Sequence, residues 1–211
     1  MIRKWRVSNV NKKERKLIFM NMNECKEFIK SCLEKCYKNA DDMSLMMPNV
    51  PEEMRAGEID EDGWVKWKMI PSIVTESNFE TIENEWGIKF PLMLKAYFKV
   101  YFHYFSKNVG RVPPNKPFYS LYNAYNPVLV RCGYLPFTWD SEGYFIRCID
   151  LRNMPDEDSC PIYQIDHEVL FEYDEKTATK EDIDKNMFKI EENLKSYFEK
   201  VLIENYSYQE G

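Results

Sequence analysis

Two histidines are the only imidazoles in this chain of 211 residues, and they limit the acid–base chemistry it can perform. His167 lies between Asp166 and Glu168, a tripeptide that in principle supplies a metal site or an acid/base pair. On a strand, alternate residues face opposite sides, so the two carboxylates would share one face and the imidazole the other. In a turn, Asp166 would accept backbone amides, and this structural role is the favoured reading. His103 stands among Tyr101, Phe102, Tyr104 and Phe105, the setting of a core histidine rather than a general base. Asp140-Ser141-Glu142-Gly143 lacks the series of roughly six oxygen ligands that a calcium loop needs, so it reads as a turn with Gly143 at positive φ. The six cysteines show no C-x-x-C pair. Cys25, Cys32 and Cys36 instead share a helical face with Phe28, Ile29 and Leu33, as small core residues in a reducing cytoplasm. Phosphate-binding glycine loops, nucleophile elbows and H-E-x-x-H are absent from the sequence. The expectation is a protein with no catalytic residues, no metal and no cofactor.

Acid is distributed unevenly. Six carboxylates face the single Arg55 between Glu52 and Asp62, and eight lie between Asp156 and Glu175 with no lysine or arginine. Such runs ordinarily form solvated surface. The sharper alternative is a docking face for a basic partner, in which Asp156, Glu157, Asp158, Asp166, Glu168 and Glu172 combine with Tyr163, Phe171 and Tyr173. The net charge of −6 argues against direct nucleic-acid binding, since the basic residues cluster only between Arg3 and Lys16. The longest apolar run, residues 90–105, is interrupted by Lys95, Lys99 and His103 and is too short to span a bilayer. No secretory signal opens the chain, so a cytoplasmic location is expected.

These residues need elements to hold them. A strand is expected at Lys4–Val10 or Lys16–Met20, then an amphipathic helix from a cap at Asn23 to about Asn39, then an irregular acidic loop. A short strand, Trp64–Met69, leads into two helices joined by a tight elbow: Ser77 and Glu80 form a capping box, Gly87 ends the first helix, and Pro91 begins a second reaching Phe105. Phe118–Tyr125, Val128–Cys132, Tyr144–Leu151, Ile162–Asp166 and Val169–Tyr173 read as strands, the last two as a hairpin. Apolar spacing over Lys180–Glu204 predicts a closing helix. Consecutive strands flanked by helices predict an α+β fold, a mostly antiparallel sheet with helices packed on it.

Ile70-Pro71-Ser72, Glu83, Gly87-Ile88, Phe90-Pro91, Lys95, Asp140-x-x-Gly143, Asp150 and Asp166-His167-Glu168 follow one another along the chain. This ordered set resembles the pattern of the SUKH superfamily of Smi/Knr-type proteins. The resemblance spans about residues 64–202, and residues 1–63 form an N-terminal extension beyond it. It implies a non-catalytic protein-binding domain, either a bacterial immunity protein that neutralises a cognate toxin or a regulatory scaffold for cell-wall synthesis or signalling proteins. It treats Asp166-His167-Glu168 as a signature without catalytic role. Gln164-Ile165 stands where the family pattern expects an aromatic residue.

Overall fold

The structure, a computed structural model, describes residues 20–154 and 156–204, the side chains of Asp158 and Glu204 excepted. The basic N-terminal cluster and the strands expected there lie outside the described residues. Asn21, rather than Asn23, starts helix α1 (Met22–Asn39). Its Oδ1 accepts the Asn23 and Glu24 N–H groups at 3.0 and 3.1 Å, while Glu24 accepts the Asn21 N–H at 2.7 Å. Strand β1 (Met46–Pro48) pairs antiparallel with β2 (Trp64–Lys66), across the division expected at residue 63. Residues 20–63 thus meet the rest of the described chain through main-chain pairing. β3 (Ile70–Pro71) leads into α2 (Glu76–Trp86), whose start lies at Thr75, with its N–H donated to Asn78 Oδ1 at 2.9 Å. The Ser77–Glu80 box predicted from sequence falls inside the helix.

Gly87, at φ 68°, ends α2 in the left-handed conformation that glycine adopts without strain, and Pro91 precedes α3 (Leu92–Val100). The second helix is therefore shorter than the predicted span to Phe105. Tyr101–Phe102 forms β4, which pairs with β3, and His103 bridges Val112. Aromatic and β-branched side chains favour extended backbone once a partner strand is present. The stretches expected as strands at 118–125 and 128–132 are the helices α4 (Tyr119–Ala124) and α5 (Pro127–Arg131). Asn126 caps α5 through the Val128 and Leu129 amides, and Pro127 occupies its first turn.

The main sheet is an antiparallel meander of β5 (Tyr134–Trp139), β6 (Phe145–Asp150), β7 (Ile162–Asp166) and β8 (Phe188–Glu191). The predicted closing helix divides into α6 (Lys180–Asp184), then β8, then α7 (Leu194–Glu199) with a π-helical turn at Lys200–Glu204. Asn193 restarts the helix by accepting the Ser196 amide at 3.0 Å, which leaves the residues before it free to pair with β7. The segment expected as a strand at Val169–Tyr173 is a 3₁₀ turn, Glu168–Glu172.

Both faces of the sheet are covered. Leu135, Phe137, Ile149 and Ile162 join the buried residues of α1, α2, α3 and α7 in one core, while Tyr134, Ile146, Cys148 and Ile165 pack with Val128, Leu129 and Ile183 in another. The architecture is α+β, with antiparallel sheets and helices packed on them.

Candidate protein-docking site

The helical elbow carries a buried ion pair. Glu83, whose side chain is 1% exposed, lies 2.8 Å from Lys95 Nζ and 2.7 Å from Lys89 Nζ, and it accepts the Phe90 N–H at 2.9 Å. Lys95 also reaches Glu76 at 2.6 Å. Burial pushes the Glu83 carboxyl up, but the bonds from Lys89, Lys95 and the Phe90 amide outweigh it and hold the group below the usual carboxylate range. Two residues picked out separately in the sequence thus form one ion pair, which locks α2 to α3. Ser72 adds a hydroxyl bond to the Phe98 carbonyl at 2.7 Å and ties Ile70-Pro71-Ser72 to the same helix. This assembly is structural, and its charges are satisfied internally.

At the far end of the meander, Asp140 Oδ1 accepts the Tyr144 and Phe145 amides at 2.8 and 2.9 Å, closing the turn in which Gly143 has φ 79°. Asp166 Oδ1 accepts the Glu168 N–H at 2.9 Å, the turn role favoured for it from sequence. The His167 N–H and Nδ1 both meet the Tyr144 carbonyl, at 3.1 and 2.9 Å, so the two turns are stitched together. Nδ1 lies 3.8 Å from Asp166 and bonds the carbonyl instead. Asp150 is buried, accepts the Arg152 amide at 3.0 Å and pairs with its guanidinium, securing the end of β6.

The acidic run from Asp156 to Glu175 does not form one surface. Asp156 and Glu157 precede β7, whereas Asp166 ends it and Glu168 and Glu172 follow, and about 13 Å of strand separates the two groups. Asp156 holds its own turn through Ser159 at 2.8 Å. Glu157 accepts the Leu92 and Met93 amides at 2.6 and 3.3 Å and so caps α3. The side chain of Asp158 lies outside the description. Tyr163 packs against Tyr134 in the core with ring centroids 5.9 Å apart, and the Tyr173 hydroxyl donates to the Asp182 carbonyl at 3.2 Å. Of the residues expected at a docking face, Asp166, Glu168, Phe171 and Glu172 are gathered at one place, while Asp156, Glu157, Tyr163 and Tyr173 have structural duties elsewhere.

The gathered place contains aromatic groups that sequence reasoning missed. Trp139 lies 5.3 Å from His167, which lies 6.1 Å from Phe171, itself 82% exposed. Trp139 Nε1 donates to the Asn123 carbonyl at 3.1 Å and ties α4 to the sheet end. The tyrosines of α4 and the residue after it, at positions 119, 122 and 125, are all exposed. Their spacing of three was the available signal, because it places them on one helical face.

A polar notch of about 180 Å³ opens between Trp139 and Tyr119, with Ser120, Thr138 and Asp140 among its walls. Gly110, at φ 77°, forms part of it, and a Cβ there would stand 2.5 Å from Ser120 Cβ. A larger apolar concavity, about 410 Å³, lies by the N-terminus of α3 among Phe90, Met93, Met154 and Leu194.

Among the described residues, no group of three or more His, Cys, Asp or Glu side chains is arranged to hold a metal, and no helix is long and apolar enough to cross a membrane. The described part is an α+β domain with antiparallel sheets and helices packed on them. No family model, curated protein or solved structure matches the chain.

Proposed function

We propose that this is a non-catalytic protein-binding domain of the Smi/Knr type, acting in the cytoplasm as an immunity protein that binds and neutralises a cognate toxin domain. The observation that carries the reading is the sheet end, where Phe171, His167 and Trp139 form a partly exposed aromatic group rimmed by Asp166, Glu168 and Glu172. Exposed aromatics surrounded by charge are the usual anchors of protein interfaces, and they require no catalytic group. Toxins that cut nucleic acid need basic surface for phosphate, so an acidic inhibitor can occlude them and associate quickly through electrostatic steering. The Glu83–Lys95 pair, the Asp140 turn and the Asp166 turn support the resemblance by giving its scattered residues coherent structural roles.

Affinity capture of the tagged chain from its own cells at low and moderate salt, followed by co-expression of the captured protein, tests this reading. One toxic polypeptide, neutralised by the chain and captured less well as salt rises, is the expected result. Recovery of several cell-wall or signalling proteins and no toxin would replace it with the scaffold reading.

A further inference from the structure

The aromatic groups at the sheet end face those of α4 across the notch. Trp139 and Tyr119 share the walls of the notch, Tyr122 lies one helical turn beyond Tyr119, and Trp86 bridges Tyr122 and Tyr125 with centroid separations of 5.7 and 4.7 Å. The described residues include seven exposed aromatics, and five of them lie in this belt or beside it: Tyr119, Tyr122, Tyr125, Tyr144 and Phe171. Trp64 and Phe188 are the other two. Such concentration marks a surface shaped for contact, since exposed aromatics are otherwise scattered singly.

Charge is asymmetric along the belt. Residues 139–146 and 163–175, which build the sheet end, contain no lysine or arginine, and Asp140, Glu142, Asp166, Glu168 and Glu172 lie there. The cations nearest the belt are Lys107, Arg111 and Lys116 in the loop before α4, with Arg111 lining the notch beside Trp139 and Asp140, and Arg147, whose guanidinium is bonded to Gln164 and Asn108. A partner covering the whole belt therefore meets acidic surroundings at His167 and Phe171 and mixed charge from Trp139, beside Asp140 and Arg111, across to the tyrosines.

We propose that this belt is a docking surface for a basic polypeptide, whose arginine or lysine side chains lie over Phe171 between the flanking carboxylates while its less charged part covers Trp139 and the tyrosines of α4. Guanidinium and ammonium groups are attracted to ring faces, and neighbouring carboxylates complete their hydrogen bonding. The inference rests on the protein-binding reading and adds the partner's chemistry and orientation.

An NMR titration of the full chain with the peptide acetyl-Gly-Arg-Leu-Arg-Gly-amide, and with its glutamate counterpart, tests the surface directly. Shifts at Trp139, Tyr144, His167 and Phe171 with the arginine peptide, and none with the glutamate peptide, are expected. Phe171→Ala and the double variant Glu168→Gln/Glu172→Gln should each weaken binding roughly two- to fivefold. Glu58→Gln/Glu61→Gln, in the other acidic run, should change nothing. Equal shifts over both acidic runs, or binding that survives both belt variants, overturns the proposal. A captured toxin whose neutralisation is unaffected by either belt variant also overturns it while leaving the immunity reading standing. Peptide binding at the belt in a chain that captures no toxin supports the surface and removes the immunity reading.

Discussion

Glu83 and Lys95 form a buried ion pair at 2.8 Å across the elbow between α2 and α3, with Lys89, Glu76 and the Phe90 amide completing its bonds. Removing one partner of a buried pair typically costs about 3–5 kcal/mol, reduced here because Glu83 keeps Lys89 and Lys95 keeps Glu76. Lys95→Met should therefore unfold at markedly lower urea than the parent chain. Glu83→Gln should cost less, because Lys95 retains Glu76. A double-mutant cycle checks the pairing, and a coupling indistinguishable from zero would show that the two residues act independently. The linkage also has a sign. Glu83 titrates below its ordinary 4.5 in the folded chain, so its contribution is present above that value and disappears as pH falls below it.

His103 acts in a different pH window. Its ring is fully buried against Tyr97 and Phe105, with centroids 5.3 and 5.5 Å away, and neither nitrogen has a hydrogen-bond partner. Burial alone lowers its pKa from 6.5 to about 3, so the folded chain excludes the proton that the unfolded chain accepts. Stability is retained above pH 6.5 and is lost as pH falls toward 3, at about 1.4 kcal/mol per unit. Between pH 7 and pH 5 the loss from this group should reach about 2 kcal/mol. His103→Leu should be neutral or stabilising at pH 7, since it removes an unsatisfied buried polar group, and should flatten the decline. Urea midpoints at pH 7, 6 and 5 decide the matter, and parallel declines in the two proteins would refute the assignment.

The elements most legible in the sequence were those whose signals were local. The cysteine stripe of α1, the Gly87 exit, Pro91 before α3 and the alternation of Tyr144–Leu151 all lie within a few residues of the structure they specify. Tyr101–Phe102 was misread because its extended form depends on pairing with Ile70–Pro71, thirty residues earlier. The strand β5 was hidden by Pro136, a residue that discourages a strand reading but is accommodated here at a register shift beside the edge. Phe118–Tyr125 and Val128–Cys132 read as strands from their aromatic and β-branched content, yet the Asn126 cap makes the second a helix, and the first is the helix α4, tied to the sheet through the Trp139–Asn123 bond. The site was half legible for the same reason. Its carboxylates are contiguous in sequence, but β7 carries Asp156 and Asp166 to opposite ends, while Trp139 and the α4 tyrosines arrive only through tertiary packing.

Glu157 illustrates that division and gives a separate prediction. Pro91 offers no side-chain acceptor to the first turn of α3, and Glu157 supplies both oxygens from a distant turn, at 2.6 and 3.3 Å from the Leu92 and Met93 amides. A carboxylate at a helix N-terminus satisfies otherwise unpaired donors and faces the positive end of the helix dipole. Glu157→Ala should cost about 1 kcal/mol, and Glu157→Gln, which keeps an acceptor but loses the charge, should cost less. Because the group lies at the opposite end of β7 from Phe171, neither variant should weaken arginine-peptide binding at the belt. Thermal unfolding together with that binding assay separates the roles. Weakened binding without loss of stability would return Glu157 to the docking surface, whereas lowered stability with unchanged binding fixes it as the cap of α3.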